Sequence, residues 1–500
     1  MHNSQFLILK LCIVHCALCI TLAACAPTPT LVPASPPTQT PTASATPTPL
    51  PTLNTTPLPT REVFSAGTLL PYTAQSGDTV NIIAIHFNTT AEEILVANPQ
   101  LPITNTLEPG TELNIPAYYF PLGGPTFKII SDDALVYGPG TAGFDLAAYL
   151  NSQPGYARTL SAFMAGKQRD AAGAILFVAQ QYSINPKLLL ALMEWRSGAL
   201  THADAPQNVK DNPLGIANVK GFAAQLRWAA EQLSLGYYGW RSGALTAILL
   251  SDDYTSRVDS YQNAGTVGVH YLLAHMVPHD EFAHAAGPDG FGTTYRALWG
   301  DPFSTAIAII PGHLTQPNLT LPFEPKQLWA LTGGPHPGWG QQLPWSALDF
   351  APPAGETGCI STDKWVTAAA PGLITRSADN TVILDLDGDG YEQTGWVLFY
   401  FHIDDDGMTP AGTRVSAGDP LGHPSCEGGI ATGTHVHLAR KYNGEWLPAD
   451  DPAAPFVLGG WLPVRGSKPY DGRMTRLGAW VEACTCSTTA NRVYWVADVP

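Results

Sequence analysis

The stretch between residues 381 and 403 constrains the fold most, because it has the pattern of a β-hairpin. Thr381 to Leu386 and Trp396 to Ile403 are alternating runs joined by Asp-Gly-Asp-Gly, as expected for two strands and their turn. Since side chains of a strand point alternately to its two faces, the residues of the second run expected to share one face are Trp396, Leu398, Tyr400 and His402. The pattern predicts an antiparallel β-sheet in this part of the chain.

Histidines cluster in and around this predicted sheet. The clusters are Gly333-Gly-Pro-His336 with Ser346-Ala-Leu-Asp349-Phe, Leu398-Phe-Tyr-Phe-His402, and Thr432-Gly-Thr-His435-Val-His437. Because one residue separates His435 from His437, both side chains project from one face of a strand, while Val436 and Leu438 point to the other. Several imidazoles and a carboxylate that converge in this way are typical of catalytic zinc, which takes three protein ligands and keeps one position open.

These motifs resemble the lysostaphin-type and beta-lytic metalloendopeptidases, bacterial wall-cutting enzymes with an antiparallel β-sheet core. The resemblance implies three Zn²⁺ ligands and two catalytic residues: His336, Asp349 and His437 as ligands, His435 as general base, and His402 to orient or stabilise the transition state. The gap of 13 positions between the first His and the Asp is similar to the beta-lytic branch, which favours Gly-containing peptide bonds. The predicted domain, residues 328–465, would therefore be a zinc-dependent endopeptidase that hydrolyses peptide bonds in peptidoglycan.

The first 25 residues are predicted to direct export. Phe6 to Ala24 is an apolar stretch too short for a comfortable membrane-spanning helix, and it ends in Leu22-Ala-Ala-Cys25. This ending resembles the bacterial lipobox, in which the Cys thiol takes a diacylglycerol, so Cys25 is the predicted lipidation site. The alternative is an ordinary signal peptide that contains a Cys. We expect an extracytoplasmic protein that is lipid-anchored to the plasma or outer membrane and faces the cell wall.

Residues 26–68 form a Pro/Thr-rich segment without an apolar period. Such a sequence cannot build a core and is expected to act as a semi-rigid spacer, reaching up to ~100 Å at ~3.1 Å per residue. A tether of this length is what an anchored protein needs to reach across a wall or a periplasm.

Residues 69–118 have the pattern of a small β-α-α-β unit. The unit carries Ser-Gly-Asp-Thr at its first turn, Asn98-Pro99 after its second helix, and Pro-Gly-Thr-Glu-Leu-x-Ile-Pro at its end. These motifs resemble the LysM module, which implies binding of N-acetylglucosamine-containing glycan at two places: the first turn, formed by Gly77, Asp78 and Thr79, and the loop around residues 103–107. The alternative is a structural domain without a ligand.

Residues 119–327 are predicted to be mostly helical. A run that ends in Glu194-Trp-Arg-Ser-Gly198 resembles the opening of a lysozyme-like transglycosylase domain, in which a catalytic Glu directly precedes Ser-Gly. Arg196 occupies that position here, and an Arg cannot give a proton to the leaving oxygen. Glu194 lies two positions earlier, about 200° around the helix. We therefore predict a degenerate, non-catalytic domain, with lytic activity through Glu194 or Glu231 as the alternative.

Four cysteines follow Cys25, namely Cys359, Cys426, Cys484 and Cys486. An even number in an exported chain permits disulfides, and the sequence does not choose among the three pairings. Because Cys484 and Cys486 are so close, at least one of them is expected to pair further away. Residues 466–500, which hold both, are predicted to be a packing extension without chemistry.

An acidic turn, Asp385-Leu-Asp-Gly-Asp-Gly390, resembles the start of a calcium loop. The twelfth position of that loop requires Glu and is Trp396 here, which excludes an EF-hand. A solvated acidic turn is the favoured interpretation, with a calcium-stabilised hairpin as the alternative.

The expected architecture is thus multidomain, with a small LysM module, a mostly helical lysozyme-like middle domain and an antiparallel β-sheet peptidase domain. The net charge of −16 disfavours nucleic acid as a partner, so the expected partners are peptidoglycan and, through the lipid anchor, a membrane. Two other functions stay open: a non-catalytic wall-binding lipoprotein, and an amidase activator with a peptidase-like domain. Activators of that kind typically lack one or more ligands, whereas all five positions are filled here.

Overall fold

The computed structural model describes residues 65–102, 105–118, 123–340, 343–486 and 488–494. The predicted signal peptide, Cys25, most of the Pro/Thr-rich segment, and Ile103 and Thr104 of the predicted glycan-binding loop lie outside these ranges. Within them, no helix combines the length and the hydropathy that crossing a membrane requires.

The first folded unit has the four elements that its sequence predicts, in the predicted order. They are β1 (Thr68–Thr73), α1 (Val80–Phe87), α2 (Ala91–Ala97) and β2 (Glu112–Ala117), with β1 antiparallel to β2. The Thr79 side chain caps α1 by accepting a hydrogen bond from the Ile82 amide, and Thr90 and Glu93 form a capping box on α2. Ile83, Ile94 and Ile115 are fully buried between the helices and the strands.

The middle of the chain is a helical region with two short hairpins. Its elements are α3 (Asp132–Leu135), α4 (Leu146–Ser152), β3 (Ser161–Met164), β4 (Lys167–Asp170), α5 (Ala171–Tyr182), α6 (Pro186–Ser197), α7 (Gln207–Asp211), α8 (Phe222–Arg241), β5 (Ala247–Leu249), β6 (Thr255–Arg257), α9 (Ala264–Met276), α10 (His279–Ala285) and α11 (Phe291–Trp299). Helices α8 and α9 pack closely, and a Cβ at Gly236 would lie 2.8 Å from the Gly268 Cα. Glycine at both positions therefore allows the two helices to touch through their backbones.

Glu194, the residue named above as an alternative acid, is engaged in hydrogen bonds within this region. Its carboxylate accepts hydrogen bonds from the Leu200 amide at 2.7 Å and from Thr201 Oγ1 at 2.6 Å. These bonds tie the end of α6 to the turn that follows it, so Glu194 serves local structure. The absence of lytic activity stays a prediction.

The C-terminal part of the chain is built on an antiparallel sheet. Its strands are β7 (Leu328–His336), β8 (Ala347–Ala351), β9 (Val366–Thr367), β10 (Gly372–Ala378), β11 (Thr381–Asp385), β12 (Trp396–Phe401), β13 (Arg414–Val415), β14 (Pro420–Gly422), β15 (Val436–Tyr442), β16 (Glu445–Trp446), β17 (Leu462–Arg465), β18 (Gly472–Arg476), β19 (Ala479–Glu482) and β20 (Arg492–Tyr494). The main sheet has the order β13-β10-β11-β12-β15-β8-β7-β20. The predicted hairpin is confirmed, because β11 pairs antiparallel with β12 and Ile383 lies opposite Phe399.

The two faces of this sheet meet different surroundings. Leu398, Tyr400 and Leu438 lie in a core that belongs to the sheet region itself. Phe399 and Phe401, on the other face, lie in the same apolar cluster as the core of the helical region. The helical region therefore packs directly on one face of the sheet.

The C-terminal extension departs from the sequence prediction. Both of its cysteines pair with each other rather than with distant partners, at a Cα–Cα distance of 5.0 Å, which is within the range that a disulfide spans. The remaining pair is Cys359–Cys426, which joins positions 67 residues apart. The extension also supplies β20, which pairs with β7 at the edge of the main sheet.

Candidate metal centre

Three neighbouring strands bring the predicted ligands together. His437 of β15 lies opposite Asp349 of β8, and Asp349 in turn lies opposite Gly333 of β7. Irregular register at the end of β7 carries His336 to the same place. A Cβ at Gly333 would lie 2.6 Å from Asp349 Oδ2, so the Gly-Gly before His336 makes room for the carboxylate.

Two imidazoles and one carboxylate converge on a single point. Asp349 Oδ1 lies 3.2 Å from His336 Nε2 and 3.3 Å from His437 Nδ1. The two imidazole nitrogens are 2.9 Å apart, and one donor atom from each of the three residues lies within 4.8 Å of the others. The His336 side chain is only 1% exposed, so this group is held inside the protein.

Hydrogen bonds on the outer side of both rings determine which nitrogen faces inward. His336 Nδ1 lies 2.8 Å from the Gly334 carbonyl, and His437 Nε2 lies 3.0 Å from the Gly338 carbonyl. A carbonyl only accepts, so each outer nitrogen carries the proton and each inner nitrogen presents a lone pair. Among the described residues, none donates a hydrogen bond to Asp349 Oδ1. Three acceptors that face one another without a donor fit a bound cation.

The electrostatics of the group favour the metal-binding forms. Burial opposes ionisation of Asp349, but positive charge at the neighbouring imidazoles outweighs it and holds the pKa of this carboxyl well below its usual range; a cation bound in their midst would take the place of that charge. Burial lowers the pKa of His437, which keeps its imidazole neutral. Two imidazole nitrogens and a carboxylate oxygen are a donor set that catalytic zinc takes.

His435 and His402 stand beside this group. His435 Nε2 lies 3.8 Å from Asp349 Oδ1, and its ring centroid is 4.5 Å from that of His402. Nδ1 of His435 contacts the Gly433 carbonyl at 2.8 Å, and Nδ1 of His402 contacts the Glu427 carbonyl at 2.7 Å. Each ring therefore presents Nε2 to the space beside the metal group. Burial, followed by the neighbouring His435, lowers the pKa of His402 to about 3.

The predicted facing of His402 is wrong, and the reason is local. Strand β12 ends at Phe401, and His402 itself has φ = 62°, in the left-handed region. This conformation interrupts the alternation, so His402 leaves the face of Leu398 and Tyr400. Its ring lies beside that of Phe401, with centroids 4.1 Å apart, on the side of His437. A non-glycine residue with this backbone costs free energy and is found often at functional sites.

Tyr470 belongs to the wall of the site, although the sequence prediction assigned no chemistry to residues 466–500. Its ring stacks on His336 with centroids 4.1 Å apart, and its carbonyl accepts a hydrogen bond from the Gly334 amide at 2.8 Å. Burial raises the pKa of Tyr470, so its phenol stays neutral. The sequence around Tyr470 gives no sign of its contact with His336, because the two positions are far apart in the chain.

The Cys359–Cys426 disulfide supports the two outer histidines. It is followed directly by Glu427, whose carbonyl accepts from His402. On its other side the Gly358 carbonyl accepts from the Thr434 amide at 3.0 Å, immediately before His435. One covalent link thus joins the loop that carries the partner of His402 to the loop that holds the backbone of Thr434, next to His435.

The other predicted positions lie elsewhere. Asp78 of the LysM turn accepts hydrogen bonds from Tyr72 Oη at 2.7 Å and from the Gln75 amide at 2.8 Å. A second acidic group, Asp385, Asp387 and Asp389, also has carboxylate oxygens within 4.8 Å of one another. Asp385 accepts hydrogen bonds from the amides of the turn itself and is buried, so only Asp387 and Asp389 are solvated as predicted.

Comparison with known proteins agrees with the organisation of the chain. Residues 72–116 match the family profile of the LysM domain, and residues 128–312 match that of the N-terminal domain of LasA. The second match covers most of the segment predicted to be lysozyme-like, and the resemblance of that segment to transglycosylases stays a prediction.

Proteins similar to this chain include two curated proteases and one metalloprotease of solved structure. Protease LasA of Pseudomonas aeruginosa is 26% identical over 364 residues, which cover 67% of this chain and 77% of that protein. Beta-lytic metalloendopeptidase of Achromobacter lyticus is 29% identical over 200 residues, 38% of this chain and 48% of that protein. The solved structure of the metalloprotease pseudoalterin matches 34% of this chain and 96% of the pseudoalterin chain, with 26% sequence identity and a TM-score of 0.28.

The named relatives are proteases, and the donor set of the buried group suits zinc. By homology the chain is a metalloendopeptidase, and the donor set identifies its cofactor as Zn²⁺. The chain is thus homologous to LasA and to beta-lytic metalloendopeptidase, and it carries a LysM domain and a LasA N-terminal domain ahead of the peptidase sheet.

Proposed function

We propose that this protein is a zinc-dependent endopeptidase that hydrolyses peptide bonds of peptidoglycan and is directed to the wall by its LysM module. The convergence of three buried acceptors beside two further imidazoles carries the proposal. Such a group has no evident use in packing, since acceptors that face one another repel unless a cation lies between them.

The residues divide into ligands and proton carriers. His336, Asp349 and His437 would hold the metal, and the outer hydrogen bonds keep both rings in the tautomer that binds it. Zn²⁺ bound there supplies a Lewis acid for the scissile carbonyl and a means of activating water. His435 takes a proton from the attacking water at Nε2 and returns it to the leaving amine, while its Nδ1 proton stays on the Gly433 carbonyl.

His402 has a narrower role than the resemblance implies. Its Nδ1 proton is engaged by the Glu427 carbonyl, and its depressed pKa of about 3 leaves Nε2 unprotonated. An unprotonated nitrogen accepts hydrogen bonds and cannot donate one to a developing oxyanion. His402 is therefore suited to orienting the attacking water or a substrate N–H.

Digestion of purified sacculi tests the activity. We expect the full-length protein to release muropeptides with new amino termini, which mass spectrometry identifies along with the bond cleaved. A zinc chelator should stop the release and added Zn²⁺ should restore it, because the ligands alone do not activate water. Products with new reducing sugar ends, or release that continues without metal, would contradict the proposal.

We further propose that the chain is anchored through a lipid on Cys25, because Leu-Ala-Ala-Cys is followed at once by the Pro/Thr-rich segment. Acyl chains supply about 0.8 kcal/mol per buried methylene, so removal of the acceptor thiol should abolish membrane association. Cys25→Ser is expected to move the protein from the membrane fraction to the soluble fraction after flotation. A variant that still floats with membranes would place the anchor elsewhere.

A further inference from the structure

The LysM module meets the helical region through the same edge that was predicted to bind glycan. We call residues 75–79 and 105–108 the LysM loop edge; they are the first turn and the described part of the second loop. Helix α8, the segment around residue 261 and the segment 309–313 lie against it. Asp78 and Thr106 are only 6% and 7% exposed there.

The first turn is held by hydrogen bonds that each join a side chain to a backbone group. Arg241 of α8 donates to the Ser76 carbonyl, and a Cβ at Gly77 would lie 2.5 Å from Arg241 Nη1. The Ile310 amide donates to Ser76 Oγ at 2.7 Å. The Gln75 side chain reaches the Gln262 carbonyl at 3.3 Å. The Ser76 carbonyl, the Ser76 hydroxyl and the Gln75 side chain of this turn therefore already have partners in the same chain.

The second loop is held in the same way by residues 311–313. Thr106 Oγ1 donates to the Pro311 carbonyl at 2.8 Å, and the His313 amide donates to the Thr106 carbonyl at 3.1 Å. The Gly312 amide donates to Glu108 Oε2 at 3.1 Å. The segment 310–313 thus lies across both halves of the LysM loop edge, where an extended glycan would lie.

Contacts beside the edge make the docking extensive. The His86 ring stacks on Trp240 with centroids 3.5 Å apart, and Nε2 of His86 donates to the Trp240 carbonyl at 3.0 Å. Ser260 Oγ donates to the His86 carbonyl at 2.7 Å. Stacking and buried hydrogen bonds of this kind favour one defined arrangement of the two units.

We propose that the helical region is an intramolecular ligand of the LysM loop edge, so that N-acetylglucosamine-containing glycan and residues 310–313 compete for it. The inference rests on the glycan binding included in the proposed function, and it is independent of peptidase activity. In the docked form the module cannot take glycan at this edge, and binding to the wall requires that the module separate from the helical region.

A variant that opens the contact gives one test. A Cβ at Gly243 would lie 2.8 Å from Ile85 Cδ1 of the module, so Gly243→Leu should push the module away without touching the LysM loop edge. Gly166→Leu is the matched control, because Gly166 has a similar φ of 72° and nothing within 4 Å of its Cβ position. We expect full-length Gly243→Leu to bind a soluble chito-oligosaccharide at least about tenfold more tightly than wild type, in proportion to the rise in the binding-competent fraction.

A cross-linked variant gives the opposite test. The Cβ position at residue 243 lies 3.5 Å from Ile85 Cβ, within the range for a disulfide, so Ile85→Cys with Gly243→Cys should lock the docked form. We expect the locked protein to lose chito-oligosaccharide binding, with each single-cysteine variant as its control. Equal affinity in wild-type, opened and locked proteins would overturn the proposal. Absence of binding in all of them would overturn it too, while muropeptide release would still decide the peptidase function separately.

Discussion

Replacing His437 with alanine is expected to remove zinc and activity together, whereas replacing His435 is expected to leave zinc bound and lower kcat by a factor of about 10²–10⁴. His437 lies in β15 and His435 directly before it, and the two histidines differ in what surrounds them. Nδ1 of His437 lies 2.9 Å from His336 Nε2, inside the group of acceptors. His435 lies at its rim, with 14% of its side chain exposed.

Elemental analysis and muropeptide release, measured on the same preparations, separate the two roles. The ligand variants, expected to lose zinc, are His336→Ala, Asp349→Ala and His437→Ala; the two expected to keep it while losing activity are His402→Ala and His435→Ala. His423→Ala is a matched control, because its ring bonds the Lys364 carbonyl outside the site. Equal zinc loss in all five would show that the roles are wrongly divided. Undiminished activity in His402→Ala and His435→Ala would reject the proposed mechanism.

Replacing Arg241 with methionine is expected to lower the free energy of unfolding by about 3–5 kcal/mol, as when one partner of a buried ion pair is removed. Arg241 is 12% exposed and lies 3.1 Å from Glu445 Oε1 and 3.1 Å from Asp132 Oδ2. Tyr237 Oη completes the group by donating to Glu445 Oε2 at 2.7 Å. Because Arg241 also donates to the Ser76 carbonyl, one side chain joins the LysM module, the helical region and the peptidase sheet.

The free energy of unfolding lost in Arg241→Met should depend on pH in a defined direction. Burial raises the pKa of Glu445 even with Arg241 beside it, and removal of the cation raises it further. A carboxyl whose pKa is higher in the folded protein costs stability above its unfolded pKa, and the cost is relieved as the pH falls through the folded pKa. The destabilisation by Arg241→Met should therefore be largest at high pH and shrink on acidification.

Denaturant unfolding of a double-mutant cycle checks this coupling. The double variant Arg241→Met/Glu445→Gln should lose less free energy of unfolding than the two single variants lose together. In the double variant no unpaired charge opposite position 241 is left in the peptidase sheet. Arg473→Met, at an exposed position of β18, is the matched control and should change stability by less than about 0.5 kcal/mol. Additive effects of the two substitutions would mean that the pair does not join the domains.

Several features could be predicted from the sequence because they depend on neighbours along the chain. The alternation of residues 381–403 predicts the β11–β12 hairpin, and the spacing of His435 and His437 predicts that both rings turn to one side, where both lie beside Asp349. The β-α-α-β unit with its capping threonines follows from local turn and cap chemistry. For the metal group, family resemblance added what periodicity alone does not contain, namely that His336 and Asp349 meet His437.

Other features were decided only by the tertiary structure. The left-handed backbone of His402 reverses its facing, Tyr470 reaches His336 from a segment predicted to lack chemistry, and Cys484 pairs with Cys486. The docking of the LysM loop edge on residues 310–313 joins positions more than 200 apart. Periodicity and turn chemistry report the preferences of adjacent residues, and they carry no information on which distant surface will cover a given edge. Those contacts arise only when whole elements pack, since their free energy depends on shape and on buried polar partners contributed by both sides.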